Sequence, residues 1–469
     1  MKHITEIQAA SHRSSLQEST RSRHLETIAR RASRLILAFG ITISASFAAV
    51  QAETWATVDD MFPSASAYAA TTDAAGNIFV AGSARDALGR PTAVVMKSSD
   101  GGQTWDNDPS TPDIEESSDA ISTTDGSFAE FRAIASARVA SGGNVFADHV
   151  VTTGRAKRVP TAAGPMASPW LIRRSTDAGA TWVMLDEFVH PAYNHGPGNM
   201  GPWGVALDSS GTIFAAGSAL EAIVSYKGKS ASYSNVNHWL IRKGLTTASG
   251  TVEWKTIDFA YPTTHEWDRE NCFPSAVACV GNNVFVVGGG GPDGVYWHVL
   301  KSADGGTTWT VADNFRFDRS DNSHAYGIAA DSTGNLFVVG VGNRSSQNTR
   351  VPYWIIRKGA PDGTAWTTVD QFQLPGGTAV ASAVTVDRNN DVHVTGSGLS
   401  SATGCRWITR QRSAVNGLWS TTDNFAFASG SSSAGKAIAA DQFGDVFAAG
   451  YGCDAAGVSH WLVRRKLAP

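Results

Sequence analysis

Short apolar runs, each bounded by polar turns, recur along most of the chain. The clearest unit lies between Ala325 and Phe372, where four such runs alternate with turns: Tyr326–Asp331, Leu336–Gly340, Tyr353–Arg357 and Trp366–Phe372. Continuous apolar runs rich in β-branched and aromatic residues are typical of strands that are covered on both faces. No helical periodicity stands out after residue 53. The pattern therefore predicts an all-β chain built from repeated four-stranded sheets.

The second run of this unit shows how often the unit is repeated. We count seven copies: Asn77–Gly82, Asn144–Ala147, Thr212–Gly217, Asn283–Gly288, Asn335–Gly340, Asp391–Gly396 and Asp445–Gly450. Four-stranded repeats of this kind are typical of β-propellers, in which radial sheets cover each other's faces. The sequence predicts a single seven-bladed β-propeller.

Tryptophans mark the two outer strands of each unit. The third strand begins with tryptophan in six units: Trp170, Trp239, Trp297, Trp354, Trp407 and Trp461. The fourth strand has tryptophan and then aspartate four positions later, as in Trp366 and Asp370. The seventh unit ends after its third strand, and the missing fourth strand stands at Trp55–Phe62. We expect this N-terminal strand to complete the last blade and close the ring, within one domain at 53–469.

One turn has a motif of its own, with Ser, Asp, Gly and Trp at fixed spacing. The aspartate and glycine suit a tight turn closed by the side chain, so we expect a structural role. The three copies are Ser98, Asp100, Gly102 and Trp105; Ser175, Asp177, Gly179 and Trp182; and Ser302, Asp304, Gly306 and Trp309. The motif resembles the Asp-box, or BNR repeat, of the sialidase-like β-propeller superfamily.

That resemblance implies a fold and makes a sialidase-like hydrolase the first enzyme to test. Members of the family have an Arg-Ile-Pro motif before the first box, three arginines on the substrate carboxylate, a Tyr–Glu nucleophile pair and an Asp acid/base. In this chain the nearest match to the first motif is Phe131-Arg-Ala-Ile134, which lacks the proline. No Tyr–Glu pair can be placed, so only the boxes carry over.

The N-terminal residues have the pattern of a secretory signal. Residues 1–34 carry seven Lys/Arg against three Glu, residues 35–50 are apolar, and a small-residue cleavage site follows near Ala52. We expect residues 1–52 to be a signal peptide and the protein to be exported, periplasmic or secreted, without a membrane span in the mature chain. The whole chain has a formal charge of −4 and the signal +4, so the mature charge is −4 − 4 = −8. An acidic chain without a basic cluster is a poor nucleic-acid binder.

Candidate binding residues lie on the loops that follow the second and fourth strands, which share one face of a propeller. Thirteen of the fifteen tryptophans occupy repeat positions, and the other two are on this face. Aromatic residues among charged ones suit sugar stacking or protein binding, although they also suit loop cover. The candidate ligand-binding residues are Trp203, Trp267, His195, His265, Arg269, Arg316 and Arg319.

Weaker patterns concern catalysis, metals and disulfides. Glu266, Asp268 and Asp318 are candidate carboxylates for a glycoside hydrolase, which needs two. The loop histidines match no metal motif, and we expect no metal and no cofactor. We expect Cys405 and Cys453 to lie on the same face of adjacent blades, where they either form a disulfide or stay as two thiols. Two further cysteines, at 272 and 279, bracket one strand and are too far apart to bond.

Two functions from different classes fit these observations. The first is an exported, non-enzymatic propeller, expected to be a monomer, that binds a glycan or an envelope or extracellular protein through its loop-rich face. The second is a sialidase-like or other glycoside hydrolase that uses carboxylates on the loops of blades three to five. An assembly factor for an envelope complex is a third reading. The missing catalytic signature favours the first.

Overall fold

The computed structural model describes residues 54–86, 89–106, 121–122, 129–140, 146–156, 169–190, 201–227, 230–247, 249–259, 272–290, 296–318, 322–346 and 349–468. All regular elements in these ranges are strands, so they contain no helix that is long and apolar enough to cross a membrane. In chain order the strands are β1 (Trp55–Pro63), β2 (Ser66–Thr72), β3 (Ile78–Arg85), β4 (Pro91–Ser98), β5 (Ile121–Ser122), β6 (Ala129–Ala140), β7 (Phe146–Ala156), β8 (Trp170–Ser175), β9 (Val183–Phe188), β10 (Gly201–Leu207), β11 (Ile213–Lys227), β12 (Ser230–Thr246), β13 (Val252–Phe259), β14 (Phe273–Val280), β15 (Asn283–Gly290), β16 (Tyr296–Ser302), β17 (Thr310–Phe315), β18 (Ser323–Ala330), β19 (Leu336–Ser346), β20 (Thr349–Gly359), β21 (Trp366–Phe372), β22 (Gly377–Val386), β23 (Val392–Ser400), β24 (Gly404–Arg412), β25 (Trp419–Phe425), β26 (Ser433–Ala440), β27 (Val446–Cys453) and β28 (Ser459–Lys466).

The described strands form seven antiparallel sheets of four strands each, which are the blades of a β-propeller. Blade 1 is β2–β5, blade 2 is β6–β9, blade 3 is β10–β13, blade 4 is β14–β17, blade 5 is β18–β21 and blade 6 is β22–β25. Blade 7 has the order β1-β28-β27-β26 and therefore joins the first described strand to the last three. The first strands contact each other in succession, and β26 contacts β2. The predicted seven-bladed ring, closed by the N-terminal strand, is confirmed.

The hydrophobic core lies between neighbouring blades rather than at one centre. One cluster, for example, joins Val339 and Ile356 of blade 5 to Ala381 and Val394 of blade 6. The second strands are buried on both faces, which explains their continuous apolar sequence. The tryptophans that begin the third strands are buried as well: Trp170, Trp239, Trp297, Trp354, Trp407 and Trp461.

A second contact between blades explains the aspartate of the fourth-strand motif. Arg410 of blade 6 donates two hydrogen bonds of 3.0 Å to the carboxylate of Asp370 in blade 5. Its guanidinium also lies 4.3 Å from the ring centroid of Phe372. We call this arginine–aspartate–phenylalanine contact the outer lock. The same contact joins Arg242 to Asp186 and Phe188, Arg357 to Asp313 and Phe315, and Arg464 to Asp423 and Phe425.

The predicted register of blade 2 is wrong. Gly154 is opposite Phe131 there, in the place that Gly82 has opposite Ala67 in blade 1. The residues equivalent to Asn77–Gly82 are therefore His149–Gly154, and not the run that begins at Asn144. The reason is the hairpin between β6 and β7, which continues for four more pairs, to Ala140 and Phe146. Because the hairpin is longer, the run equivalent to Asn77–Gly82 begins at His149 instead of Asn144.

The three Ser-x-Asp-x-Gly-x-x-Trp loops are closed by their own side chains. In the second copy, Thr181 donates from its backbone and its hydroxyl to the two carboxylate oxygens of Asp177, at 2.9 and 2.6 Å. Ser175 donates to the same carboxylate at 2.7 Å and accepts from Gly179 N–H at 2.8 Å. These donors lower the pKa of Asp177 to about 2, although burial opposes them. The geometry agrees with a structural role for the motif.

Candidate functional site

Every blade has one β-bulge near the beginning of its first strand. At each bulge one residue has no partner on the second strand, so its side chain is re-aimed. We call the seven bulged residues the axial ring: Tyr68, Arg132, Trp203, Ser275, Tyr326, Ser382 and Lys436. All seven line one pocket of about 480 Å³. Since first strands begin where the chain arrives from a fourth strand, the pocket opens toward the loop-rich face.

The axial ring brings aromatic and cationic side chains together. Its members are three aromatic residues, two cations and two serines, and the described lining of the pocket contains no carboxylate. A second cavity of about 220 Å³ is lined by the seven ring residues and by the next two residues of each first strand, which are small or aliphatic. The polar chemistry of the axis is therefore concentrated in one layer at the mouth.

Arg132 is held in place by one carboxylate and two aromatic rings. Its Nη2 donates to Glu130 Oε2 at 2.7 Å, and Arg155 Nε donates to the other oxygen of Glu130 at 2.7 Å. The Arg132 guanidinium lies 4.2 Å from the ring centroid of Tyr68 and 5.2 Å from that of Trp203. Trp203 is fixed in turn, because its Nε1 donates to Ser218 Oγ at 3.3 Å. This cluster keeps a cation at the pocket in a defined orientation.

Lys436 is the second cation of the ring. Burial lowers its pKa, and the positive charge of Arg132 lowers it further. Its Nζ lies 5.6 Å from the ring centroid of Tyr451. Among the residues that the structure describes, Lys436 makes no ion pair with a carboxylate. The described residues therefore provide no carboxylate counterion for the amine at the pocket.

A serine of blade 4 and a histidine of blade 5 are in contact beside the ring, away from Lys436 of blade 7. Ser275 Oγ and His324 Nε2 are 2.8 Å apart, across the boundary between blades 4 and 5. The His324 ring lies 4.6 Å, centroid to centroid, from that of Tyr326. Burial lowers the pKa of His324 to about 4, with a smaller contribution from His298. The imidazole is therefore neutral at physiological pH.

The structure describes only some of the residues that the sequence singled out. Trp203 lies in the pocket, but on strand β10 rather than on a loop. Arg316 is placed with its guanidinium 5.4 Å from the Tyr296 ring centroid, and neither it nor Asp318 lines the axial pocket. The other candidates lie outside the described residues and stay predictions: Trp267, His195, His265, Arg269, Arg319, Glu266 and Asp268.

Six of the seven ring residues were missed, although the sequence contains a signal for them. Each is followed by alanine or glycine and then by alanine, valine or isoleucine, as in Arg132-Ala-Ile and Lys436-Ala-Ile. Aligning the first strands on that small–apolar pair would have isolated the variable residue before it. The segment Phe131-Arg-Ala-Ile134, the nearest match to the first motif of the sialidase-like family, belongs to one of these seven strands.

Cysteines and metal-ligating side chains add no further centre to the described residues. Within them, which include all four cysteines, no disulfide forms. The thiol of Cys405 instead points to the carbonyl oxygen of Ser433, at 3.7 Å, so of the two alternatives for Cys405 and Cys453 the structure has thiols. No group of three or more His, Cys, Asp or Glu residues in the described ranges is arranged to hold a metal.

Comparisons with known proteins give a likeness of fold. No family model and no curated protein matches the sequence. Among solved structures, the chain is similar to a protein of unknown function from Dyadobacter fermentans DSM 18053, with 14% identity and a TM-score of 0.42 over 72% of this chain and 95% of that one. It is similar to Trypanosoma rangeli sialidase, with 13% identity and a TM-score of 0.42 over 71% of this chain and 54% of the sialidase. Penicillium chrysogenum alpha-L-arabinanase gives 11% identity and a TM-score of 0.41 over 72% and 93%. These likenesses concern the propeller fold alone.

Proposed function

We propose that the protein is an exported propeller that binds an acidic glycan in the axial pocket, without cleaving glycosidic bonds. The observation that carries this proposal is the axial ring, where two cations and three aromatic residues converge and no described carboxylate lines the pocket. Export rests on the sequence of residues 1–52, and the ligand class rests on the chemistry of the ring.

The charge balance at the pocket favours an anion. Arg132, Arg155 and Lys436 supply three positive charges, and Glu130, which contacts both arginines, supplies one negative charge, leaving two net positive charges. In a partly buried pocket, cations that repel each other are stabilised when an anion lies between them. A carboxylate or sulfate group would complete the set and would accept charge-assisted hydrogen bonds.

The remaining chemistry of the pocket favours a ring-shaped, partly apolar ligand such as a sugar. Tyr68, Trp203 and Tyr326 offer aromatic surfaces, and Ser275 and Ser382 offer hydroxyl groups. A pocket of about 480 Å³ lies in the usual range for small-molecule sites. The pocket suits one terminal sugar, with the rest of the glycan directed toward the loop-rich face.

Glycoside hydrolysis is the alternative function. It needs two carboxyl groups that flank the scissile bond. The described lining of the pocket supplies neither, and Asp318 is elsewhere. Glu266 and Asp268 lie outside the described residues, so a turnover assay with Glu266→Gln and Asp268→Asn is the direct test. Release of a reducing sugar by the intact protein, abolished in these variants, would support hydrolysis in place of simple binding.

The test of binding is a glycan array with the full chain. We expect acidic glycans to be retained, and we expect Arg132→Gln and Lys436→Gln each to weaken binding by about tenfold to a hundredfold, which is the usual worth of a hydrogen bond to a charged group. Lys255→Gln, which removes an exposed lysine of an outer strand, is the matched control and should bind like the unmodified protein.

Trp267→Ala tests the loop of residues 260–271 separately from the axial ring. A folded protein that retains no glycan would refute the proposal. So would acidic-glycan binding that both ring variants leave unchanged, since binding would then lie outside the pocket.

A further inference from the structure

We infer that Ser275 and His324 form an acyl-transfer dyad that removes an ester-linked acyl group from a ligand in the axial pocket. The pair is a hydroxyl and an imidazole in direct hydrogen-bond contact, with Ser275 Oγ 2.8 Å from His324 Nε2 and the serine in the lining of the pocket. A nucleophile paired with a base within hydrogen-bond reach is the arrangement that this chemistry requires.

The second serine of the ring shows that this pairing is particular to one blade boundary. Ser382 occupies the same bulged position in blade 6 that Ser275 occupies in blade 4. The next blade presents His324 to Ser275, but at the equivalent position it presents Ala434 to Ser382. Alanine cannot accept a proton, so the fold provides one ring serine with a base and the other without.

The histidine is held from two sides so that Nε2 faces the serine. On one side, a Cβ built on Gly289 would overlap Nδ1 of His324, so the imidazole occupies space that only a glycine leaves open. On the other side lies the ring of Tyr326, at 4.6 Å and an interplanar angle of 32°. Gly289 and Tyr326 are therefore positioning residues. Because the imidazole is already oriented, little rearrangement is needed before proton transfer.

The protonation state also suits a base. Burial lowers the pKa of His324 to about 4, so the neutral, proton-accepting imidazole is present through the neutral range. Such a weak base acts best on activated acyl groups. A negative charge that develops nearby would raise the pKa of the imidazole during the reaction.

Water is the only co-reactant that this ester hydrolysis needs. Ser275 Oγ attacks the acyl carbon as His324 Nε2 takes the hydroxyl proton, and the bond between the acyl carbon and the ester oxygen breaks. Nε2 then gives that proton to the leaving alkoxide, which departs as an alcohol. Water attacks the acyl-serine, Nε2 carries the proton to Ser275 Oγ, and a carboxylic acid is released. Arg132 and Lys436, in the same pocket, supply positive potential for the oxyanion.

This activity does not require the acidic glycan of the proposed function, because a neutral ester can report it. Full-length protein is incubated with p-nitrophenyl acetate and, separately, with a fluorophosphonate probe, and the modified peptide is identified by mass spectrometry. We expect a burst of p-nitrophenol, and the probe on Ser275 rather than on Ser382. Ser275→Ala should lose both signals, and His324→Gln should slow them by about a hundredfold or more.

Further variants separate chemistry from folding. Ser420→Ala, an exposed serine of β25, should label like the unmodified protein. Gly289→Ala should slow labelling because it displaces the imidazole, while glycan binding through Arg132 is retained. Labelling should persist as pH falls and decline only near pH 4, where His324 takes up a proton. Folded protein that gives no burst and no adduct on Ser275, or an adduct that survives in His324→Gln at the same rate, would overturn the dyad.

Discussion

The outer strands and the axial ring use the same sevenfold backbone in opposite ways. At the outer strands, the same residue types recur, and four blade boundaries carry the same outer lock of arginine, aspartate and phenylalanine. At the axis, the same β-bulge recurs in every blade, but the bulged residue changes from tyrosine to arginine, tryptophan, serine or lysine. The outer strands therefore repeat both the backbone geometry and the residue types, whereas the axial ring repeats only the backbone geometry.

This difference indicates where each part of the sequence acts. Recurring residues fix the spacing between blades, because each blade must pack on a neighbour of the same shape. The residue type at the bulged position differs between blades, and the bulge re-aims its side chain, so the position is available for ligand contacts. Residues that depart from an internal repeat at a geometrically conserved position are therefore the first candidates for function.

The largest expected effect comes from breaking one outer lock. Arg410 and Asp370 have side chains only 10% exposed each. We expect Arg410→Ala to lower the free energy of unfolding by about 3–5 kcal/mol, because it leaves the buried Asp370 carboxylate without its partner. Burial already raises the pKa of Asp370 with the arginine in place. Denaturant unfolding followed by fluorescence measures the change.

A natural comparison sits at the boundary of blades 3 and 4. Leu300 stands there in place of the arginine, and Asp258 contacts His238 of its own blade at 3.1 Å with a side chain 33% exposed. Asp258→Ala should therefore cost less than about 1 kcal/mol. The double variant Arg410→Met/Asp370→Leu should recover most of the stability. A loss below about 1 kcal/mol for Arg410→Ala would mean that the outer lock does not stabilise the ring.

At the axial ring we expect a substitution to raise the free energy of unfolding instead of lowering it. Lys436→Met keeps an unbranched side chain of similar length and removes a charge that faces Arg132. We expect unfolding to require about 0.5–2 kcal/mol more, as for other substitutions that relieve a functional site, while binding of acidic glycans weakens by about tenfold to a hundredfold. Thermal unfolding of the ligand-free protein measures the first effect, and the array measures the second. Destabilisation together with intact binding would show that Lys436 is a packing residue.

The sequence predicts the outer strands well and the axial ring poorly. The outer tryptophans, the fourth-strand aspartates and the displaced strand at Trp55 are local patterns, so they predicted blade number and ring closure correctly. Blade 2 was misplaced because the longer hairpin put another apolar run, with Asn144, at the expected spacing.

The axial ring was not predicted, because its members converge only after seven strands surround one axis. Tyr68 and Lys436 are far apart in the chain and share no residue type, and a bulge has no strong sequence signature. Trp203 stands out in the sequence because it lies outside the tryptophan positions of the repeat, and the small–apolar pair that follows each ring residue is the other local signal. The partners of Ser275 could not be foreseen at all, since His324 reaches it from the next blade.

The smallest expected effect is the uptake of a proton when an anion binds in the axial pocket. It tests whether Lys436 contacts the ligand, and it requires no change in the fold. The pKa of Lys436 is lowered from its ordinary value of 10.5, first by burial and then by the positive charge of Arg132. A bound anion favours the ammonium form and raises that pKa. In the pH range where this amine titrates, below its ordinary value of 10.5, binding should therefore take up a fraction of a proton, and affinity should fall as pH rises through that range. Calorimetry in two buffers of different ionisation enthalpy measures the uptake, and Lys436→Met should abolish it. Release of a proton, or the same uptake in Lys436→Met, would assign the linkage to another group and remove Lys436 from the site.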